Sequence, residues 1–226
     1  MTSADAPSGS SAPERLTARG AATRDRIAAA AAELMYVNGV NATTLDDVRA
    51  AAGASKSQLY RHFPDKEALI QAVIALRGEQ VLARETGRLA GLRSFDGLIR
   101  WRDALVEVNS LRGGAYGCAL GSMANELADS DDDARASLAE LFRAWEELLA
   151  AGLRRMRADG ALGPDADPDR LAVGLMAALQ GGYLLASTAR DVRPMEIALD
   201  LALDHVRSYL TEPSDLAEPG DPRWLR

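Results

Sequence analysis

The chain has 226 residues, 47% hydrophobic and 26% charged, with a formal net charge of −7, which suits a globular protein with a sizeable core in one large or two modest domains. Cys118 is the only cysteine and His62 and His205 the only histidines, so an internal disulfide and a thiolate zinc site are excluded and metal or nucleophilic catalysis has few participants. No carboxylate pair stands out as an acid/base couple, so no enzyme, metal or cofactor is expected, and the negative total opposes a surface that coats nucleic acid all over.

Residues 1–20 are rich in Ser, Ala, Pro and Gly with no apolar period and read as a flexible arm; Arg15 and Arg19 on it either touch a DNA groove or do nothing specific. From Thr23 the pattern turns helical, with Ile27, Ala31, Leu34 and Met35 on one face and Gly39 as a stop. A second helix opens at Thr44, whose hydroxyl suits the orphan amides, and carries Leu45, Val48 and Ala52 inward. Gly53 permits a tight turn, and a third helix starts at Ser55, where Ser-Lys-Ser-Gln has the form of a capping box and Leu59 and Phe63 point inward. Pro64 ends it. Asp65 caps a fourth helix through Leu69, Val73 and Leu76.

Further helical segments run over about 95–111, 131–158, 168–190 and 194–210, separated by Gly, Pro and Asp breaks, with no convincing alternating strand. The glycines from Gly113 to Gly121 lack nucleotide-binding spacing and read as a linker between helices. Residues 211–226 form a tail rich in Pro and acids in which Trp224 could dock. No run reaches the roughly 20 apolar residues of a membrane helix, and the first residues do not follow a signal-peptide pattern, so a cytoplasmic protein without membrane contact is expected.

Two short helices joined by a glycine turn are a helix-turn-helix, whose second helix enters the major groove. Residues 1–66 hold eight Lys and Arg against seven Asp and Glu, so the acidity belongs to the rest of the chain, and Lys56 and Lys66, the only lysines, both fall in this segment. Thr44, Val48, Ala52 and Gly53, followed by Leu59, Tyr60, His62, Phe63, Lys66, Glu67 and Leu69, follow the pattern T-x-x-x-[IV]-x-x-x-[AV]-G then L-Y-x-[HY]-F-x-x-K-[ED]-x-L, and on these residues the segment resembles the TetR family of transcriptional regulators. Asp46-Asp47 departs from that pattern; the pair either weakens phosphate contacts or supplies Asp47 as a cap partner for Thr44. The resemblance implies a repressor that grips palindromic double-stranded operator DNA as a homodimer. It also implies that Lys56, Ser57 and Arg61 face base edges while Thr44, Tyr60, His62 and Lys66 hold phosphates, roles their chemistry suits. Ordinary partial packing is the alternative for Tyr60 and His62, and Gln58 either reaches DNA or closes the capping box.

The expected architecture is therefore all-α: an N-terminal three-helix DNA-binding domain over 21–66 followed by a larger helical ligand-binding and dimerisation domain over 67–210. Within the latter, 117–156 and 175–191 are similar to the LmrA/YxaF-like branch of the family, which implies release by a small apolar or aromatic molecule. Helix 168–190 is apolar nearly all round and contains Gly174, Gly181 and Gly182; with 194–210 it suits a four-helix dimer contact, or else packing inside one subunit. Trp101, Leu105, Tyr116, Met123, Phe142, Trp145, Met176 and Tyr183 are the bulky residues that could line a cavity between helices, each of them also an ordinary core residue. Cys118 reads as a small buried thiol rather than a redox sensor. The rival readings are a helical small-molecule-binding protein or minor enzyme that has lost DNA binding, and a DNA-binding activator rather than a repressor.

Overall fold

Side-chain caps start most of the helices. In the computed structural model, which describes residues 17–211, the Thr17 hydroxyl accepts from Gly20 N at 3.2 Å and opens α1 (Ala18–Asn38). Helix α1 thus begins ahead of the expected Thr23, because this cap and an alanine-rich run outweigh the unfavourable Gly20. Arg19 accordingly sits on a helix rather than in an arm. The rest of the arm with Arg15, and the tail with Trp224, lie outside the described residues.

Helices α2 (Leu45–Ala51) and α3 (Lys56–His62) each open on a complete capping box, Thr44 with Asp47 and Ser55 with Gln58. Asp65 caps α4 (Lys66–Leu89), which runs well beyond Leu76 because Ile74, Val81 and Leu89 continue its buried face. Then follow α5 (Phe95–Ser110), α6 (Ala119–Leu127), α7 (Asp132–Ala158), α8 (Pro168–Ala189) and α9 (Arg193–Arg207). Helix α6 was not expected from the glycine run: only 111–118 is a linker, whereas Leu120, Met123 and Leu127 bury one face of a short helix. Among the described residues the only strand-like pairing is an isolated antiparallel bridge between Leu162 and Leu210.

Helices α1 to α3 close around Ile27, Ala31, Met35, Val48, Leu59 and Phe63, all buried, each large side chain contributing about 1.5–3 kcal/mol. Gly53 takes a φ of +58°, a left-handed turn that a side chain would strain, and Arg26 Nε donates to Ala52 O at 2.9 Å, fixing that turn to α1. Side chains of α4 and α6 are among those that rivet the unit to the body. Arg77 of α4 donates to Ala32 O at 2.9 Å and pairs with Glu33 at 2.7 Å, and the Glu126 carboxylate of α6 accepts from Val40 N and Asn41 N at 3.0 and 2.9 Å.

By length and composition alone α8 is apolar enough to cross a membrane, contrary to the expectation that no segment would be. Its position accounts for that character. One row, Leu171, Leu175, Leu179 and Ala186, is buried, while Val173, Leu184 and Leu185 stay exposed beside Ile197 and Leu201 of α9. The three glycines divide accordingly. A Cβ on Gly182 would lie 2.9 Å from Met195 Cα, so that glycine lets α9 approach within the subunit, whereas Gly174 and Gly181 look onto open space.

Candidate nucleic-acid interface and cavity

The exposed face of α3 carries Lys56, Ser57, Gln58, Tyr60 and Arg61, with His62 half-buried at its end. Leu59 and Phe63, at i and i+4, anchor the opposite face. Lys56 Nζ lies 5.9 Å from the centre of the Tyr60 ring, which sets both groups on one surface. No residue of α3 is acidic, and in water this surface offers cationic and hydroxyl donors suited to base edges and phosphates.

Three of the expected DNA contacts, Gln58, Thr44 and Lys66, already have partners. Gln58 Oε1 accepts from Ser55 N at 2.9 Å, closing the capping box. The Thr44 hydroxyl donates to Asp47 Oδ2 at 2.5 Å and accepts from Asp47 N, and that donation holds the Asp47 carboxyl below its ordinary range. Asp46 instead pairs with Arg49 at 3.1 Å on the surface. Lys66, the first residue of α4, donates from Nζ to Asn41 O at 3.3 Å, while the Asp65 carboxylate accepts from the Ala68 amide at the same helix start at 2.8 Å.

A cavity of about 160 Å³ lies where the two parts of the molecule meet. Its wall takes Glu33 and Tyr36 from α1, Arg77, Val81, Arg84 and Arg88 from α4, Leu105, Val108 and Asn109 from α5, Arg112, Gly117 and Cys118 from the linker, Trp145 from α7 and Tyr183 from α8. Tyr36 is the hinge of this wall. Its hydroxyl donates to Gly117 O at 3.1 Å and accepts from Arg112 at 2.7 Å, and its ring stacks obliquely on Tyr116, a residue held at φ +67° in the linker. Burial raises the Tyr36 pKa and Arg112 opposes that rise; burial likewise pushes up the Tyr183 phenol and the Cys118 thiol. A thiol so held is a poor nucleophile, in keeping with a packed rather than a sensing cysteine.

Behind the wall lies Glu85, fully buried. Arg88 and Arg84 donate to its Oε1 at 2.8 and 3.1 Å and the Trp101 indole to its Oε2 at 3.0 Å.

Of the eight bulky candidates, Leu105, Trp145 and Tyr183 line this cavity, and Phe142 with Tyr183 lines a neighbouring open cleft of about 350 Å³. The other four line neither. Trp101 has spent its indole on Glu85, Met123 and Met176 are core, and Tyr116 lies outside against Tyr36. The polar members of the wall were missed, although one signal was present. Leu98, Trp101, Leu105 and Asn109 form one buried stripe of α5, and Ile74, Gly78, Val81, Glu85 and Leu89 one of α4; a polar residue inside an apolar stripe marks a partner or ligand waiting across the interface.

A basic, capped helix on a three-helix unit, joined to a larger helical body with a partly open cavity, defines a helix-turn-helix transcriptional regulator. Residues 27–73 match the family described as bacterial regulatory proteins, tetR family, and 98–202 match the one described as tetracyclin repressor-like, C-terminal domain. An HTH-type transcriptional regulator of Mycobacterium tuberculosis is 31% identical over 184 residues, covering 77% of this chain and 89% of the relative. The chain belongs to the TetR family of bacterial regulatory proteins. The HTH-type transcriptional repressor DhaR of a Mycobacterium species is 26% identical, covering 76% of this chain and 86% of its own. A TetR transcriptional regulator from Chloroflexus aurantiacus superposes with a TM-score of 0.75 at 27% identity, over 86% of this chain and 98% of that one.

Proposed function

We propose that this regulator is a cytoplasmic repressor that binds a palindromic operator as a homodimer through about 168–210 and lets go when a small aromatic molecule enters the junction cavity. The observation that carries this reading is the exposed face of α3, where Lys56, Ser57, Tyr60 and Arg61 stand free of acidic neighbours on their own helix. Lys56, Ser57 and Arg61 read bases; Tyr60, His62 and Lys66 hold phosphates, and Thr44 joins them by turning its hydroxyl from Asp47. The repressor named among the relatives favours repression over activation, and the cavity lined by Leu105, Trp145 and Tyr183 favours a small aromatic effector.

The exposed apolar row of Val173, Leu184, Leu185, Ile197 and Leu201 supports the dimer, since a monomer would leave that face in water. Two α3 helices then meet half-sites about 34–36 Å apart. Because Glu33 and Tyr36 belong both to α1 and to the cavity wall, an occupant pushes directly on the DNA-binding unit. It shifts the equilibrium only by its preference for the released form, and about tenfold to hundredfold, roughly 1.4–2.8 kcal/mol, makes a useful switch.

The test is selection of bound fragments from randomised DNA with the purified chain. A two-fold motif with that half-site spacing is expected; no enriched sequence at low salt, or a motif without symmetry, contradicts the proposal.

A further inference from the structure

The wall of the junction cavity is not apolar. Four guanidinium groups, of Arg77, Arg84, Arg88 and Arg112, line it, against two carboxylates, Glu33 in the wall and Glu85 behind it. Glu33 is taken by Arg77, and Glu85 by Arg84 and Arg88. Arg112 has no carboxylate partner among the described residues, and its guanidinium donates only to the Tyr36 hydroxyl.

Two residues of the wall carry an independent signal. Trp145 is 1% exposed and Asn109 4%, yet Trp145 Nε1 and Asn109 Oδ1 are both buried without a hydrogen-bond partner. Burying such groups unpaired is costly, about 1–3 kcal/mol each. The first needs an acceptor and the second a donor.

We infer that the junction cavity takes a single-ring aromatic acid, its carboxylate on Arg112, and a ring hydroxyl placed between Asn109 Oδ1 and the Trp145 indole. This rests on the reading of the cavity as the effector site and replaces a purely apolar effector with an anionic one. The size agrees, since an apolar cavity of roughly 150 Å³ holds one benzene ring and this one measures about 160 Å³. Val81, Leu105 and Tyr183 supply apolar surface for the ring. The excess of positive charge selects the anion, because a guanidinium fork matches a carboxylate in two parallel bonds. The hydroxyl serves both orphans at once, donating to the amide oxygen and accepting from the indole.

The experiment is isothermal titration of the full chain with 4-hydroxybenzoate, its neutral isostere 4-hydroxybenzamide, benzoate and inorganic phosphate. The acid should bind at least tenfold tighter than the amide and tighter than benzoate, with phosphate weaker than both acids. Arg112→Gln should remove the preference for the acid over the amide, and Trp145→Phe should reduce the preference for 4-hydroxybenzoate over benzoate. Equal binding of acid and amide, binding of neither, or phosphate binding tighter than the aromatic acids overturns the inference. Operator release is read separately, on the selected DNA. An acid that binds as described without releasing DNA leaves this inference standing and defeats the switch, whereas release by the amide alone keeps the switch and defeats this inference.

Discussion

The caps of α2 and α3 bond neighbours three residues away, Thr44 to Asp47 and Ser55 to Gln58. The side chains that fix this unit together and to the body reach across tens of residues, as Arg26 does to Ala52, Arg77 to Ala32 and Glu33, and Tyr36 to Gly117, and so does Arg155 within the body, to Leu89 and Leu92. The difference teaches that the DNA-reading face is a local construction that keeps its form wherever it is carried, while the cavity exists only in the assembled fold. A regulator needs that division. The proposed effector, seated in the cavity, would then move α3 as a body without reshaping its outer surface.

The largest expected effect breaks the comparison on the side of the body. Leu185 stands on the outer row of α8, 56% exposed, and Leu185→Arg puts a charge on the apolar row proposed as the dimer face. Light scattering should report monomers, and operator affinity should fall by about a thousandfold toward nonspecific binding although α3 is untouched. Retained dimers would place the interface elsewhere.

Next comes Glu85→Ala. It strands the Trp101 indole and frees Arg84 and Arg88 from their shared carboxylate. Removing one member of a buried network costs about 3–5 kcal/mol, and the lower end is expected because the side chains of Arg84 and Arg88 are 48% and 20% exposed. Urea unfolding should show a loss of about 3 kcal/mol; a loss under 1 kcal/mol, roughly a surface pair's worth, would mean that the network does not hold the wall.

The smallest effect belongs to the local construction. Ser55→Ala removes the α3 cap and should cost about 1 kcal/mol of stability, with operator affinity falling in step as α3 frays. A loss as large as that of Glu85→Ala would show that the recognition helix depends on the body after all.

This difference in range also decides what could be read from the sequence. The caps at Thr44, Ser55 and Asp65, the breaks at Gly53 and Pro64, and the apolar faces of α2 and α3 were all legible, since each is set within a turn or two of chain. The helical segments that hold α5, α7 and α8 were legible too, and they carry Leu105, Trp145 and Tyr183 of the wall. Periodicity gives the face of a helix but not the helix that will meet it. Tyr36 and Arg112 therefore went unnoticed, being ordinary amphipathic residues until the linker folds back onto α1. Helix α6 was hidden by the glycines around it, and the start of α1 by Gly20.

The central claim is that α3 reads DNA bases while the start of α4 holds the backbone. It is tested most directly by titrating the selected operator and a scrambled duplex, over a range of salt, with the wild-type chain, Arg61→Ala and Lys66→Ala. Arg61→Ala should lose about 1–3 kcal/mol on the operator alone, whereas Lys66→Ala should weaken both duplexes equally and flatten the salt slope by about one. If Arg61→Ala bound the operator as tightly as the wild type, or weakened both duplexes alike, α3 would not be the element that reads sequence.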